Sequence, residues 1–429
     1  MKEEFLHFIW KNCLFENDKL FTSDNQKVEV ISPGELNTNA GPDFIAARIK
    51  IGDTTWAGNV EIHQKASQWN HHHHQKDKKY NNVILHIVNH IDEITYNERK
   101  EKVPTAILIY PDLYYRNYLE LQKSIHWISC LHILKEHKPE KLFLNQWIVN
   151  LAIERLQQKT EYFKTLIDFT NNNWEDAFYI FMARYFGGNV NTTAFEMLAK
   201  ITPQKILAKH KNNLVHIEAL LFGQAGFLAD YNNDPYFQIL KKEYSFLRKK
   251  YALQPMDSSL WNFFRLRPSN FPTMRIAEFS SLIYGSVSLF SKIIHAESID
   301  EVIQILNTPV SEYWQIHIKF GEKSAKRRSK LGKQAINTLL INTVIPVMFY
   351  YGKVYSKHEI HQKAMDWFEQ LPAENNSIIR KWKEVNICAN NALETQGLIQ
   401  LKKLYCDKKK CLNCRLGKKL ISTNETRKF

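Results

Sequence analysis

Two carboxylates and an imidazole, Asp43, Glu61 and His63, close the two apolar runs of "PDFIAARIKIGDTTWAGNVEIHQ". If Gly52, Asp53 and Thr54 form a three-residue loop, Ile51 pairs with Thr55 and Asp43 lies opposite His63. Side chains alternate faces along a strand, so the three groups then share one face. Asp43 and Glu61 become diagonal neighbours, within about 8 Å. A two-residue loop would turn Asp43 to the other face, so the reading depends on register. Two carboxylates that close repel unless a cation lies between them. Mg²⁺ (or Mn²⁺) takes such oxygen ligands. It polarises a phosphate and acidifies bound water. His63 is placed to orient or deprotonate that water. Lys65 shares the face, and Glu35, ahead of Asp43, is a further ligand candidate from the preceding turn.

The run "HHHH" at 71–74 lies just downstream. On a helix, Asn70, His74 and Asp77 share a face, whereas His72 and His74 do not. His86 follows in the next apolar run. His72 or His74, with Asp77 and His86, would line the mouth of the acidic site and contact phosphate. A zinc site of His63 with two of these is a second reading, and a polar helix face is the third. Tyr80 reads as a packing anchor.

Cys406, Cys411 and Cys414 form C-x4-C-x2-C, a thiolate spacing for zinc or an iron–sulfur centre. Cys388 is separated from them by "NALETQGLIQLKKLY", which reads as helix and would hold it about 27 Å away. Cys130 or a histidine is therefore the candidate for a fourth ligand.

Net charge is +14, and it is clustered. Residues 401–429 carry ten Lys/Arg against two acids, and residues 321–334 carry six against one. The second cluster includes Lys326, Arg327 and Arg328. Arg265, Arg267 and Arg275 surround "RPSNFPT", a turn into a helix starting near Thr273, where guanidinium groups suit a phosphate. Clustered basic charge favours a polyanion partner, nucleic acid first. A solvated basic loop and tail is the plain alternative.

The elements that must position these groups alternate early and become helical later. A short amphipathic helix (3–14) precedes strand-like runs "KVEVIS", "FIAARIKI", "TTWAGNVEIH", "NVILHIVNHI" and "TAILIY". One helical stretch, "SQWNHHHHQKDKKY", interrupts them. This predicts an α-β-β-β-α-β mixed sheet with a last short strand over residues 1–112. A mostly α-helical body over 113–385 and a basic cysteine-containing segment over 386–429 follow. The start carries two acids before any apolar run, unlike a secretory signal. The most apolar later stretch, "LLINTVIPVMFYY", is interrupted by Asn342 and Pro346 and is short for a bilayer span. Six cysteines in a chain of this length do not make a disulfide scaffold. The expectation is a cytoplasmic protein with no membrane segment.

"GPDF … VEIH" on an α-β-β-β-α-β frame resembles the PD-(D/E)XK nuclease superfamily, over about the first hundred residues. That resemblance implies a restriction-endonuclease-like fold, Asp43 and Glu61 as Mg²⁺ ligands, and hydrolysis of phosphodiester bonds in DNA or RNA. His63 stands where the family has Lys, and Lys65 is the substitute. "GPDF", "GNVEIH", "YNNVILHIV", "RPSNFPT" and "CxxxxCLNC" together make the whole chain similar to a bacterial domain-of-unknown-function family. The departure at His63 keeps open a non-catalytic nucleic-acid-binding protein on a nuclease-like frame. A scaffold binding an acidic protein partner is the third function class.

Overall fold

The computed structural model describes residues 2–136, 139–286, 288–324 and 330–423. Two compact units emerge, one from Met1–Trp147 with Leu401–Phe429, the other from Ile148–Gln400.

The first unit is built on a mixed sheet of six strands: β1 (Val28–Ser32), β2 (Glu35–Leu36), β3 (Phe44–Ile51), β4 (Thr54–Lys65), β5 (Val83–His90) and β6 (Thr105–Ile107). The order is β1-β3-β4-β5-β6, with β2 pairing to β3. β1, β3 and β4 run antiparallel, while β4, β5 and β6 pair in parallel. Alternation along β4 sends Val60 and Ile62 into an apolar core shared with Phe44, Leu85 and Ile87. Helix α1 (Glu3–Lys11) buries Phe5, Leu6, Phe8, Ile9 and Trp10 in the same core. Glu61 and His63 necessarily face the other way. There Trp69, Tyr80, Val83 and Val103 make a smaller cluster.

The register is reached differently from the expectation. The β3–β4 turn has two residues, Gly52 and Asp53, with Ile51 opposite Thr54. Gly52 accepts the left-handed φ of 57° that this turn needs. Uninterrupted, that register would turn Asp43 away from Glu61. A bulge intervenes: Ala47 faces Gly58, but Phe44 faces Val60. Ala46 takes the extra position at φ 57°. Extending the register by one residue sets Asp43 directly across from Glu61. The cost of a non-glycine residue in that region is about 1–3 kcal/mol.

The histidine run is not one helix. Helix α2 covers only Gln68–His71. His73 then takes a left-handed φ of 64°, and a separate 3-10 turn begins at His74. A change of hand between His72 and His74 replaces the helical spacing that would have kept them on different faces.

After β6, helix α3 (Asp112–Lys123) receives the end of the chain. The Asn117 side-chain amide donates to the carbonyls of Leu420 and Ile421. Gln122 donates to the carbonyl of Lys409. Leu420 and Ile421 are buried in the core that holds α1.

The second unit is helical around a large aromatic core that includes Phe178, Phe181, Phe195, Phe222, Phe279 and Trp314. The apolar stretch expected to be interrupted lies in a continuous helical run, Lys333–Val354, long and apolar enough to cross a membrane by length and composition. Of its most apolar window, 67% is buried in the fold. A π turn at Leu340–Val344 absorbs Asn342 and immediately precedes Pro346, whose missing N–H such a local change of helical pitch accommodates.

Candidate metal centre

The bulge brings Asp43 and Glu61 into reciprocal contact. The Asp43 backbone N–H donates to Glu61 Oε2 at 3.0 Å, and the Ile62 N–H donates to Asp43 Oδ2 at 2.9 Å. Glu61 Oε1 lies 3.5 Å from His63 Nε2 and 3.2 Å from His74 Nε2. His63 Nε2 is also 3.1 Å from His72 Nδ1. One ring nitrogen from each of His63, His72 and His74 lies within 4.8 Å of the others. His74 Nε2 is buried and too far off line from Glu61 for a hydrogen bond. Four donors around a tetrahedral ion, at 2.0–2.1 Å each, stand about 3.3–3.4 Å apart. The contacts at 3.1, 3.2 and 3.5 Å are near that edge; the mutual cluster is the three imidazoles, and Glu61 closes on His63 and His74.

Supporting groups hold these rings in place. His63 Nδ1 lies 2.9 Å from His86 Nε2. Thr95 Oγ1 is 3.5 Å from His86 Nδ1 and 3.1 Å from Thr105 Oγ1. Tyr80 stacks on His74 with ring centroids 3.8 Å apart. The strands supply Asp43, Glu61, His63 and His86, while the broken helical stretch supplies His72 and His74.

Burial dominates the electrostatics. It pushes the Glu61 carboxyl up to about 8; the nearby Asp43 charge adds to this, while the Asp43 N–H and His7 oppose it. Burial, reinforced by His86, His74 and His72, drives His63 down to about 2. Burial and His74 bring His86 to about 3. His72 and His74 are also lowered, first by burial. Each imidazole is therefore held neutral, the form that ligates a metal.

Two further groups come from α1, where sequence reading found none. His7 Nε2 lies 3.2 Å from Asp43 Oδ2. Burial opposes a proton on His7, but contact with Asp43 and the charges of Glu3 and Glu61 outweigh it and raise its pKa. Glu3 is raised by burial and by Asp43. Glu3 and His7 are one helical turn apart, which was visible; their proximity to residue 43 was not.

His7 also lines a cleft of about 650 Å³. Its walls carry Lys2, Lys11, Lys408, Lys410, Arg415 and Lys418 against one acid, Glu4. The basic C-terminal segment thus forms one side of a cavity whose other wall includes His7, the neighbour of Asp43.

The remaining expected site residues lie elsewhere. Lys65 is exposed at the end of β4 and acts on Asp92. Glu35 is exposed on β2 opposite Ile45. The acids that gather with Asp43 are Glu61 and Glu3. Asp77 is exposed, and its carboxylate caps the backbone N–H of Lys79. Arg265, Arg267 and Arg275 belong to the other unit. Arg265 and Arg267 are exposed there. The Arg275 guanidinium clamps Asn270 and Glu278 at 2.8 and 2.9 Å. Lys326, Arg327 and Arg328 lie outside the described residues. Cys406, Cys411 and Cys414 are in the first unit, away from the imidazoles.

No curated protein and no solved structure matches the chain. A family model does, over residues 3–377, a span that includes the acids, all the histidines of the centre and most of the helical unit. The chain belongs to the family described as Protein of unknown function (DUF2851).

Proposed function

We propose that the first unit is a metal-dependent phosphodiesterase acting on nucleic acid. The observation that carries this reading is His7. One imidazole both lines the cationic cleft and closes on Asp43, which contacts Glu61 beside the cluster of three histidines. A phosphate chain attracted by the cleft's lysines is thereby led to the candidate metal ligands.

His63, His72, His74 and Glu61 would hold the ion. Three imidazoles make Zn²⁺ a better resident than Mg²⁺, which prefers oxygen donors. A divalent ion there supplies Lewis acidity toward a phosphate oxygen and acidifies its bound water. With His63 Nε2 turned to the ion, its Nδ1–H donates to His86 Nε2, which fixes the ring. Asp43 Oδ2 is occupied by Ile62 N–H and His7, leaving Oδ1 to accept a proton from the attacking water. His7, its pKa raised by contact with Asp43, stands at the cleft to meet phosphate. Asp43 and Glu61 on adjacent strands of a mixed sheet, with His63 two residues on, support a PD-(D/E)XK-like frame whose usual lysine is an imidazole.

The test is cleavage of a panel of single- and double-stranded DNA and RNA by chelator-treated protein resupplied with Zn²⁺, Mn²⁺ or Mg²⁺. Cleavage restored by Zn²⁺ or Mn²⁺, and abolished in Glu61→Gln with nucleic-acid binding retained, is expected. Binding without cleavage under every metal overturns the catalytic reading in favour of a non-catalytic binder.

A further inference from the structure

The first unit holds a second convergence, which the phosphodiesterase reading does not use. Cys406, Cys411 and Cys414 meet Cys130 around one narrow void, with Leu121 and Tyr405 among its walls. Cys130 arrives from the segment after α3, and the other three from the returning C-terminal chain. The free volume, about 20 Å³, is far below the few hundred Å³ of a small-molecule pocket. Nothing organic fits it. The four sulfurs are free thiols, not disulfides.

Their surroundings are arranged for anionic sulfur. The backbone N–H groups of Leu416 and Gly417 and the Trp147 indole N–H favour the thiolate of Cys414. That indole nitrogen is buried and has no hydrogen-bond partner of good geometry. Ser129 does the same for Cys411. Four cysteines lining one narrow void, with a buried indole N–H beside them, call for a shared cation.

Spacing decides what kind. A single Zn²⁺ with four thiolates at about 2.3 Å needs sulfurs about 3.8 Å apart. Among the described residues, the ligand atoms that meet within 4.8 Å of one another are those of the histidine triad; the cysteine sulfurs stand wider. A cube of four irons seats its thiolates about 6 Å apart. We propose that Cys130, Cys406, Cys411 and Cys414 ligate a [4Fe–4S] cluster that ties the basic C-terminal segment to the first unit. With four thiolates such a cluster is anionic, and Lys402, Lys410 and Arg415 lie in the same segment to offset it.

The test starts with the full chain purified without oxygen. About four iron and four acid-labile sulfide per chain, with broad visible absorbance, are expected. Cys130→Ser and Cys411→Ser should lose most of the iron, while Cys13→Ser and Cys388→Ser keep it. His72→Ala, which strikes the histidine centre, should also keep it, so failure of the two metal readings can be told apart. One equivalent of zinc without sulfide in the His72→Ala protein overturns the cluster. So does wild-type protein free of iron, or iron retained in Cys130→Ser.

Discussion

Glu61 controls the charge of the centre, because it is the one buried carboxylate among imidazoles held neutral. Its raised pKa means that the metal-free fold binds this proton more tightly than the unfolded chain does. That contribution is complete at low pH and is lost as pH rises towards about 8. His63 and His86 act in the opposite sense. Their depressed values contribute stability above the unfolded histidine value, about 6.5, which is lost as pH falls below it. With two histidines acting against one carboxyl, the melting temperature of metal-free protein should climb to a maximum near pH 6.5 and decline on both sides of it. Glu61→Gln should remove the alkaline decline and leave the acid one, a comparison made by calorimetry. Metal binding must also expel the Glu61 proton. Affinity for Zn²⁺ should rise about tenfold per pH unit and level off near pH 8, and Glu61→Gln should flatten that slope in a chelator-competition titration. His86→Phe keeps every proposed ligand but removes the partner of His63 Nδ1. It should cost about 10–100-fold in metal affinity; an unchanged affinity would show that His86 is packing only.

At the scale of elements, two left-handed residues assemble the centre. Ala46 makes the bulge that restores the Asp43–Glu61 register, and Gly34 packs on it: a Cβ at Gly34 would meet the carbonyl oxygen of Ile45 at 2.6 Å. Ala46→Val, a β-branched residue that resists the left-handed φ, should straighten β3 and turn Asp43 to the other face, with loss of metal-dependent cleavage while the far end of the hairpin stays paired. Amide exchange of the β3 and β4 residues, read beside activity, checks this. His73 reverses the chain between two proposed ligands at φ 64°. His73→Gly should leave metal affinity unchanged and His73→Val should weaken it, since a β-branched residue resists that conformation. Equal affinities for the two variants would mean that the turn does not position His72 and His74.

On the scale of the whole molecule, segments far apart in the chain meet within the first unit. Helix α1 supplies Glu4, His7 and Lys11, and the C-terminal segment supplies Lys408, Lys410, Arg415 and Lys418 to the same cleft. The clustered basic charge of the tail is thus placed beside the acids it could not reach along the sequence. If phosphates occupy the cleft, Lys11→Ala and Lys408→Ala should each weaken nucleic-acid binding about equally across sequences. Each should lower the slope of log affinity against log salt by about one, measured by fluorescence anisotropy. A variant with unchanged slope would place the polyanion elsewhere.

What the sequence by itself determined is whatever depends on neighbours along the chain. The period-two runs marked β1, β3, β4 and β5, and the helical periodicity marked the body, because burying one face of a strand or helix imposes that spacing locally. Asp43, Glu61 and His63 could be nominated because they end two such runs. Their meeting was decided only in three dimensions. The turn took two residues instead of three, and a bulge at Ala46, which no periodicity announces, restored the even register. Helical spacing separated His72 from His74, and one left-handed residue brought them together. His7 and Glu3 entered because α1 packs on the core beside Phe44, and Cys130 met the C-terminal cysteines because Leu420 and Ile421 are buried in that same core. Contacts between residues tens to hundreds of positions apart follow from which apolar faces are buried together, and a linear pattern carries the faces without naming their partners.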